Sequence, residues 1–90
     1  MYYTYMLLCA DGTFYIGATS NLEKRIHEHN HAKRGAHYTK IRRPVVLVYS
    51  ESYETLKESR SREAVLKRLS REKKVTLLSS DDRRLLFREI

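Results

Sequence analysis

Two runs rich in Tyr, Leu, Ile and Phe, residues 2–9 and 13–18, flank the dipeptide Asp11-Gly12. Strand formers on both sides of a turn dipeptide specify an antiparallel hairpin, and no other feature narrows the fold as much. The pairing register stays open. With a loop of Asp11-Gly12 alone, Tyr15 faces Leu8 and Tyr5 points to the other side of the sheet. With a loop of Ala10-Asp11-Gly12 and Gly12 in the left-handed conformation, Tyr15 faces Leu7 and Tyr5 faces Gly17. Only the second register puts both rings on one face, as diagonal neighbours. It also places a glycine opposite Tyr5, which would leave room for a substrate to approach the backbone.

The rest of the chain supplies helices and one more strand. Ser20-Asn21-Leu22-Glu23 has the spacing of a capping box and predicts a helix over 21–30, with Leu22 and Ile26 inward. Residues 31–43 read as loop. Pro44 turns Arg43 away from helix and precedes a third strand over 45–50. Its unbroken apolar run suggests a strand covered on both faces. Residues 54–69 read as a helix with Leu56, Val65, Leu66 and Leu69 inward. Ser70 caps a short helix over 71–78, and Ser80, with Asp81 and Asp82 in the first turn, begins a last one carrying Leu85, Leu86 and Phe87. The order ββαβα plus short C-terminal helices predicts an α+β fold with a small, mostly antiparallel three-stranded sheet flanked by helices.

Ninety residues of which 41% are hydrophobic suit one domain, 1–90, with one modest core. Apolar runs such as 45–49 are far short of the roughly 18 residues of a membrane span. The first residues read as a strand rather than a signal peptide. The single Cys9 has no internal partner, which suits the reducing cytoplasm. Eighteen Lys and Arg face eleven Asp and Glu, a net charge of +7. Such an excess favours a polyanionic partner, above all nucleic acid, over a membrane. The basic segment with Lys40, Arg42 and Arg43 is a candidate for its phosphates.

Tyr3-Thr4-Tyr5, nine residues, then Tyr15-Ile16-Gly17 resembles the paired motif of the GIY-YIG nuclease superfamily. The second half matches literally. In the first half, Tyr3 and Thr4 stand where the motif has glycine and isoleucine. Arg25, in Asn21-Leu-Glu-Lys-Arg-Ile-His-Glu-His-Asn30, matches the family's arginine on the following helix. Glu63, in Ser61-Arg-Glu-Ala-Val-Leu-Lys-Arg-Leu69, matches its glutamate on the helix after the third strand. The segment His37-Tyr-Thr-Lys-Ile-Arg-Arg-Pro-Val45 resembles the small stand-alone bacterial branch. The resemblance spans about residues 2–75 and leaves the last helix, 79–90, outside.

The resemblance implies an endonuclease that hydrolyses phosphodiester bonds with a divalent metal, Mg²⁺ or Mn²⁺, on DNA ahead of RNA. Glu63 is the implied metal ligand, since one carboxylate with waters and phosphate oxygens makes a sensible Mg²⁺ site. A salt bridge to a nearby Lys or Arg is the plainer use of such a carboxylate. Arg25 is the candidate phosphate clamp. Tyr5 and Tyr15 are candidates to place or activate the attacking water, although a phenol near pKa 10 is a poor base unless a neighbour lowers it. Tyr38 is a secondary candidate. Some members carry lysine directly after the second motif; Ala18 excludes it here. His29 lies one turn after Arg25 and could touch phosphate or carry a proton.

Other readings compete. His27 and His31, at i and i+4, could share a zinc ion, although no cysteine lies nearby. The fold could also serve as a catalytically inactive nucleic-acid-binding module. As an interaction adaptor, it would present Phe87 and Ile90 for docking. A specificity-providing protein partner fits the nuclease reading, because no separate target-binding domain is visible.

Overall fold

The computed structural model describes residues 1–33 and 36–87. Strands β1 (Tyr2–Cys9) and β2 (Phe14–Thr19) form the hairpin; α1 (Leu22–His31) and a short α2 (His37–Lys40) follow. Then come β3 (Val45–Tyr53), α3 (Leu56–Arg68), α4 (Arg71–Thr76), α5 (Ser80–Arg84) and a turn of 3₁₀ helix, Leu85–Phe87. The sheet order is β2-β1-β3, antiparallel throughout. This is the expected α+β arrangement.

The hairpin adopts the longer loop. Gly12 has φ +84°, and the Cys9 amide donates to the Thr13 carbonyl at 2.8 Å. Asp11 accepts from the amide and hydroxyl of Thr13 at 3.1 and 2.6 Å, which locks the turn. Tyr5 therefore pairs with Gly17 and Leu7 with Tyr15.

β1 is the central strand, and Thr4 through Cys9 are all buried. Met6 and Leu8 join Ile16, Val48, Leu66 and Leu78 on the face covered by α3 and the C-terminal helices. Tyr5, Leu7 and Cys9 join Val45 on the other face, against Leu22, Ile26 and Tyr38. The strand covered on both faces is thus β1, not β3. β3 is an edge, and Val46 and Leu47 stay 45% and 37% exposed. Between Met6 and Leu7 the pairing shifts, which leaves Val48 as the extra residue of a bulge and turns it inward. Its continuous apolar run therefore reflects a phase change rather than two-sided cover.

Several local expectations move by a residue or more. The N-cap of α1 is Asn21, whose side chain accepts from the Lys24 amide at 3.1 Å; Ser20 is exposed and caps nothing. The helix starts one residue later than the capping-box spacing implies. Residues 31–43 are not all loop, since α2 lies within them. The third strand runs on to Tyr53. The inward stripe of α3 is Ser59 and Leu66, whereas Leu56 and Val65 are 40% and 41% exposed. Ser59 is small enough for β1 to come close, and the Thr4 hydroxyl donates to its carbonyl at 2.7 Å. Ser70 caps α4 as expected, and Ser79 caps α5. Leu85 and Leu86 pack against the core, while the Phe87 side chain and Ile90 lie outside the described residues.

Polar clamps join the elements. The Asn30 side chain both donates to and accepts from the Val45 backbone, at 3.0 and 2.8 Å. Arg43 donates to the carbonyls of Glu28, His29 and Ala32 at the end of α1, of which the Glu28 carbonyl also accepts from the Ala32 amide at 3.0 Å. The Arg43–Pro44 peptide is cis.

Because Ser59 sets the approach of α3, Ser59→Leu is expected to cost about 1–3 kcal/mol in urea unfolding. Val65→Ala, on the exposed side of the same helix, is expected to change stability by less than about 0.5 kcal/mol.

Candidate active site

Tyr5 comes from the central strand and lies across the gap that Gly17 leaves in β2. A Cβ at position 17 would sit 2.5 Å from the Tyr5 hydroxyl and 2.6 Å from Cζ. The space over Gly17, expected to admit a substrate, is filled by the phenol itself. Tyr15 is its diagonal neighbour, with ring centroids 6.4 Å apart. Tyr38, from α2, lies 6.0 Å beyond Tyr15.

α1 brings Arg25 and His29 to the same place, one turn apart. The Arg25 guanidinium is hydrogen-bonded to the Tyr5 phenol and to Glu28, the latter at 3.0 Å. His29 is fully buried. Its Nε2 lies 2.8 Å from the Tyr5 hydroxyl, and its Nδ1 lies 2.8 Å from the Thr39 hydroxyl. The Tyr15 ring meets it edge to face at 5.0 Å. His29 is therefore not a surface residue and does not reach phosphate directly; it stands behind Tyr5.

Electrostatics follow the burial. Desolvation lowers the His29 pKa to about 4, with the Arg25 and Arg43 charges adding to it against the opposing pull of Glu28. The imidazole is neutral at pH 7. Desolvation also pushes the Tyr5 phenol well above its usual value, and Tyr15 adds to the rise against the opposing pull of Arg25. A neutral phenol is thus the resting form.

Glu63 arrives from α3, on the opposite side of the sheet from α1, and its charge bears on Tyr5. Its side chain is 20% exposed and pairs with Lys67 at 2.9 Å. The salt bridge weighed from the sequence is present, but an exposed i,i+4 pair contributes only about 0.3–0.5 kcal/mol. A hard, largely hydrated ion suits one carboxylate beside phosphate oxygens. No group of three or more His, Cys, Asp or Glu able to hold a metal occurs among the described residues. His27 and His31 stack with ring centroids 4.7 Å apart on the exposed side of α1, and no third ligand joins them to make the zinc site considered above.

An open pocket of about 210 Å³ adjoins the tyrosines, lined by Phe14, Tyr15, Ile16, Tyr38, Lys67 and Lys74. Of the basic segment, Lys40 is exposed. Arg42 pairs with Asp11 at 2.9 Å, donates to the Tyr38 carbonyl at 3.1 Å and stacks 3.8 Å over the Tyr38 ring. With Arg43 capping α1, both arginines expected at phosphates make their bonds within the fold. Thr39 is the residue missed from sequence. Thr39 lies inside the segment that carries the family resemblance, but a threonine in a polar stretch gives no sign of burial.

Two outcomes follow from this geometry. The unfolded chain takes up the His29 proton near pH 6.5 and the folded chain only near pH 4. Stability from this group is complete above pH 6.5 and is lost as pH falls towards 4, by about 3 kcal/mol. Urea titrations should show that loss, and His29→Gln should remove it. Gly17→Ala should displace the Tyr5 ring, cost about 1–3 kcal/mol and shift the His29 imidazole resonances.

A family model described as "GIY-YIG catalytic domain" matches residues 1–76. The UPF0213 protein of Syntrophus aciditrophicus is 47% identical over 83 residues, covering 92% of this chain and 95% of that protein. The UPF0213 protein of Staphylococcus saprophyticus is 49% identical over 78 residues, covering 87% and 94%. Among solved structures, the solution structure of the UPF0213 protein of Bacillus halodurans matches with TM-score 0.53 and 38% identity, over 86% of this chain and 82% of that one. A solution structure from E. faecalis matches with TM-score 0.55 and 45% identity, over 81% and 77%. With that match over most of its length and these relatives, the chain belongs to the GIY-YIG nuclease family, among its small bacterial UPF0213 proteins.

Proposed function

We propose that this protein is a divalent-metal-dependent endonuclease acting on nucleic acid, DNA ahead of RNA, in the cytoplasm. The observation that carries the reading is the convergence on Tyr5 of Arg25, His29 and Glu63, from α1 and α3, on opposite sides of the sheet. A phosphodiester needs a positioned water, neutralisation of its oxygens and help for the leaving oxygen.

Glu63 would hold Mg²⁺ or Mn²⁺, which when bound supplies positive charge and Lewis acidity at the phosphate. Arg25 forks a phosphate oxygen while keeping its contact with the phenol, so the phosphate and Tyr5 share one register. Tyr5 acts as a neutral phenol that orients the attacking water. The raised pKa makes it a poor base in the free protein. Tyr15 holds the His29 ring from its side, and Tyr38 continues the aromatic wall towards the pocket. Lys40, Lys67 and Lys74 offer exposed or pocket-lining cations to the flanking backbone. Arg42 and Arg43 support that surface from beneath. Target choice falls to the structure of the nucleic acid or to a specificity-providing protein partner.

One observation favours a second reading, binding without cleavage: the Glu63–Lys67 ion pair already occupies the carboxylate. Labelled single-stranded, duplex and branched DNA and RNA, incubated with Mg²⁺ or Mn²⁺ against chelator, separate the two. Cleavage should require metal and fall on the order of 10²-fold or more in Glu63→Gln, without loss of folding. Cleavage that survives the substitution would sink the assignment. Retention on nucleic acid with no cutting under any metal would favour the binding module.

A further inference from the structure

Three buried groups, Tyr5, His29 and Thr39, form a chain whose direction can be worked out from its far end. Thr39 has one hydroxyl hydrogen, and it goes to the Ala36 carbonyl at 2.9 Å. A carbonyl only accepts, so the Thr39 oxygen has only lone pairs left for His29. His29 Nδ1, 2.8 Å away, must then carry the hydrogen. A neutral imidazole has one N–H, so Nε2 is bare and accepts. The hydrogen between Nε2 and the Tyr5 oxygen is accordingly the phenol's own.

We infer that Thr39 is a positioning residue that sets the hydrogen-bond polarity of Tyr5, so that the phenol gives its hydrogen inward and offers only lone pairs to the site. Thr39 touches neither Tyr5 nor the pocket, and it acts through His29 alone. On the open side, the Tyr5 oxygen accepts from Arg25 and from one hydrogen of a bound water. It cannot donate to a phosphate oxygen and so does not compete with Arg25 for the substrate. A water held by its hydrogen presents its lone pairs elsewhere, which is the orientation an attack on phosphorus requires. The reverse polarity would hold the water by its oxygen and turn those lone pairs away from phosphorus.

The consequence for turnover rests on the endonuclease reading; the polarity itself does not. Imidazole ¹⁵N–¹H correlation spectra of the ¹⁵N-labelled protein at neutral pH report the tautomer, with the His29 signals assigned by their loss in His29→Gln. The wild type should show a protonated Nδ1 and a bare Nε2. Thr39→Val removes the acceptor and should move His29 towards the Nε2–H form, while Thr39→Ser should keep the wild-type pattern. If the wild type cleaves, Thr39→Val should lower kcat by roughly 10-fold or more with KM unchanged, and Thr39→Ser should restore it. A wild-type His29 protonated on Nε2 would overturn the inference, as would a folded Thr39→Val with an unchanged tautomer. If Thr39→Val does not fold, the wild-type and Thr39→Ser spectra decide the matter. The expected tautomers in a protein that cuts none of the substrates would leave the polarity standing and remove the endonuclease reading.

Discussion

A hydroxyl lies where a side chain at position 17 would have to be, and the candidate site is built round that exclusion. Because Gly17 has no Cβ, the Tyr5 ring can lie along the sheet instead of standing off it. That posture carries its oxygen to His29 on one side and to Arg25 on the other. It also brings the phenol within the field of a carboxylate that belongs to the opposite layer. The three-residue loop matters for the same reason: it alone makes Tyr5 and Gly17 partners. Gly12, at φ +84°, therefore fixes the site from the far end of the hairpin.

Much of the basic character is used within the protein. Arg43 caps α1, Arg42 holds the hairpin turn through Asp11, and Arg71 donates to the Gly12 carbonyl at 2.8 Å while lying 4.9 Å over the Phe14 ring. Arg62 gives two bonds to Glu51, whose carboxylate also accepts from Tyr49 and Tyr53. Burial would raise the Glu51 carboxyl, but these donors outweigh it and hold it low. A small domain with a thin core gains rigidity from guanidinium groups that satisfy helix-end and turn carbonyls. Net charge therefore overstates the surface available to phosphates. Lysines, which make fewer such bonds here, are the better guide to it.

The hairpin and the helices were legible because turn dipeptides, strand formers and capping residues are local signals, whereas Arg25 and Glu63 were named only through the family resemblance. The failures have physical causes. Val48 turns inward because of a bulge, and nothing in an apolar run marks where the alternation slips. Ser59 takes the inner position of α3 that Leu56 and Val65 would claim, because closeness to β1 matters more there than apolar area. Asn21 outcompetes Ser20 as a cap by a single position. His29 was picked out as a group for phosphate or a proton, but its burial behind Tyr5 and its bond to Thr39 were not visible, since polar side chains satisfied by one another resemble solvated ones in sequence. Arg42 and Arg43 looked free for the same reason, as their acceptors are carbonyls that every residue carries.

The aromatic and basic half of the site, from Tyr5 to Thr39, lies within the first four dozen residues and is knitted by short-range connections. The carboxylate alone comes from α3, which is docked on the other side of the sheet through the Thr4–Ser59 bond and Leu66. A seam therefore runs between the phenol and the acid. A small slide of α3 along the sheet would alter the spacing across that seam and leave the hydrogen-bond chain behind Tyr5 undisturbed. A substitution at a position facing Ser59 would thus change the distance between Glu63 and Tyr5 without altering Tyr5, His29 or Thr39 themselves.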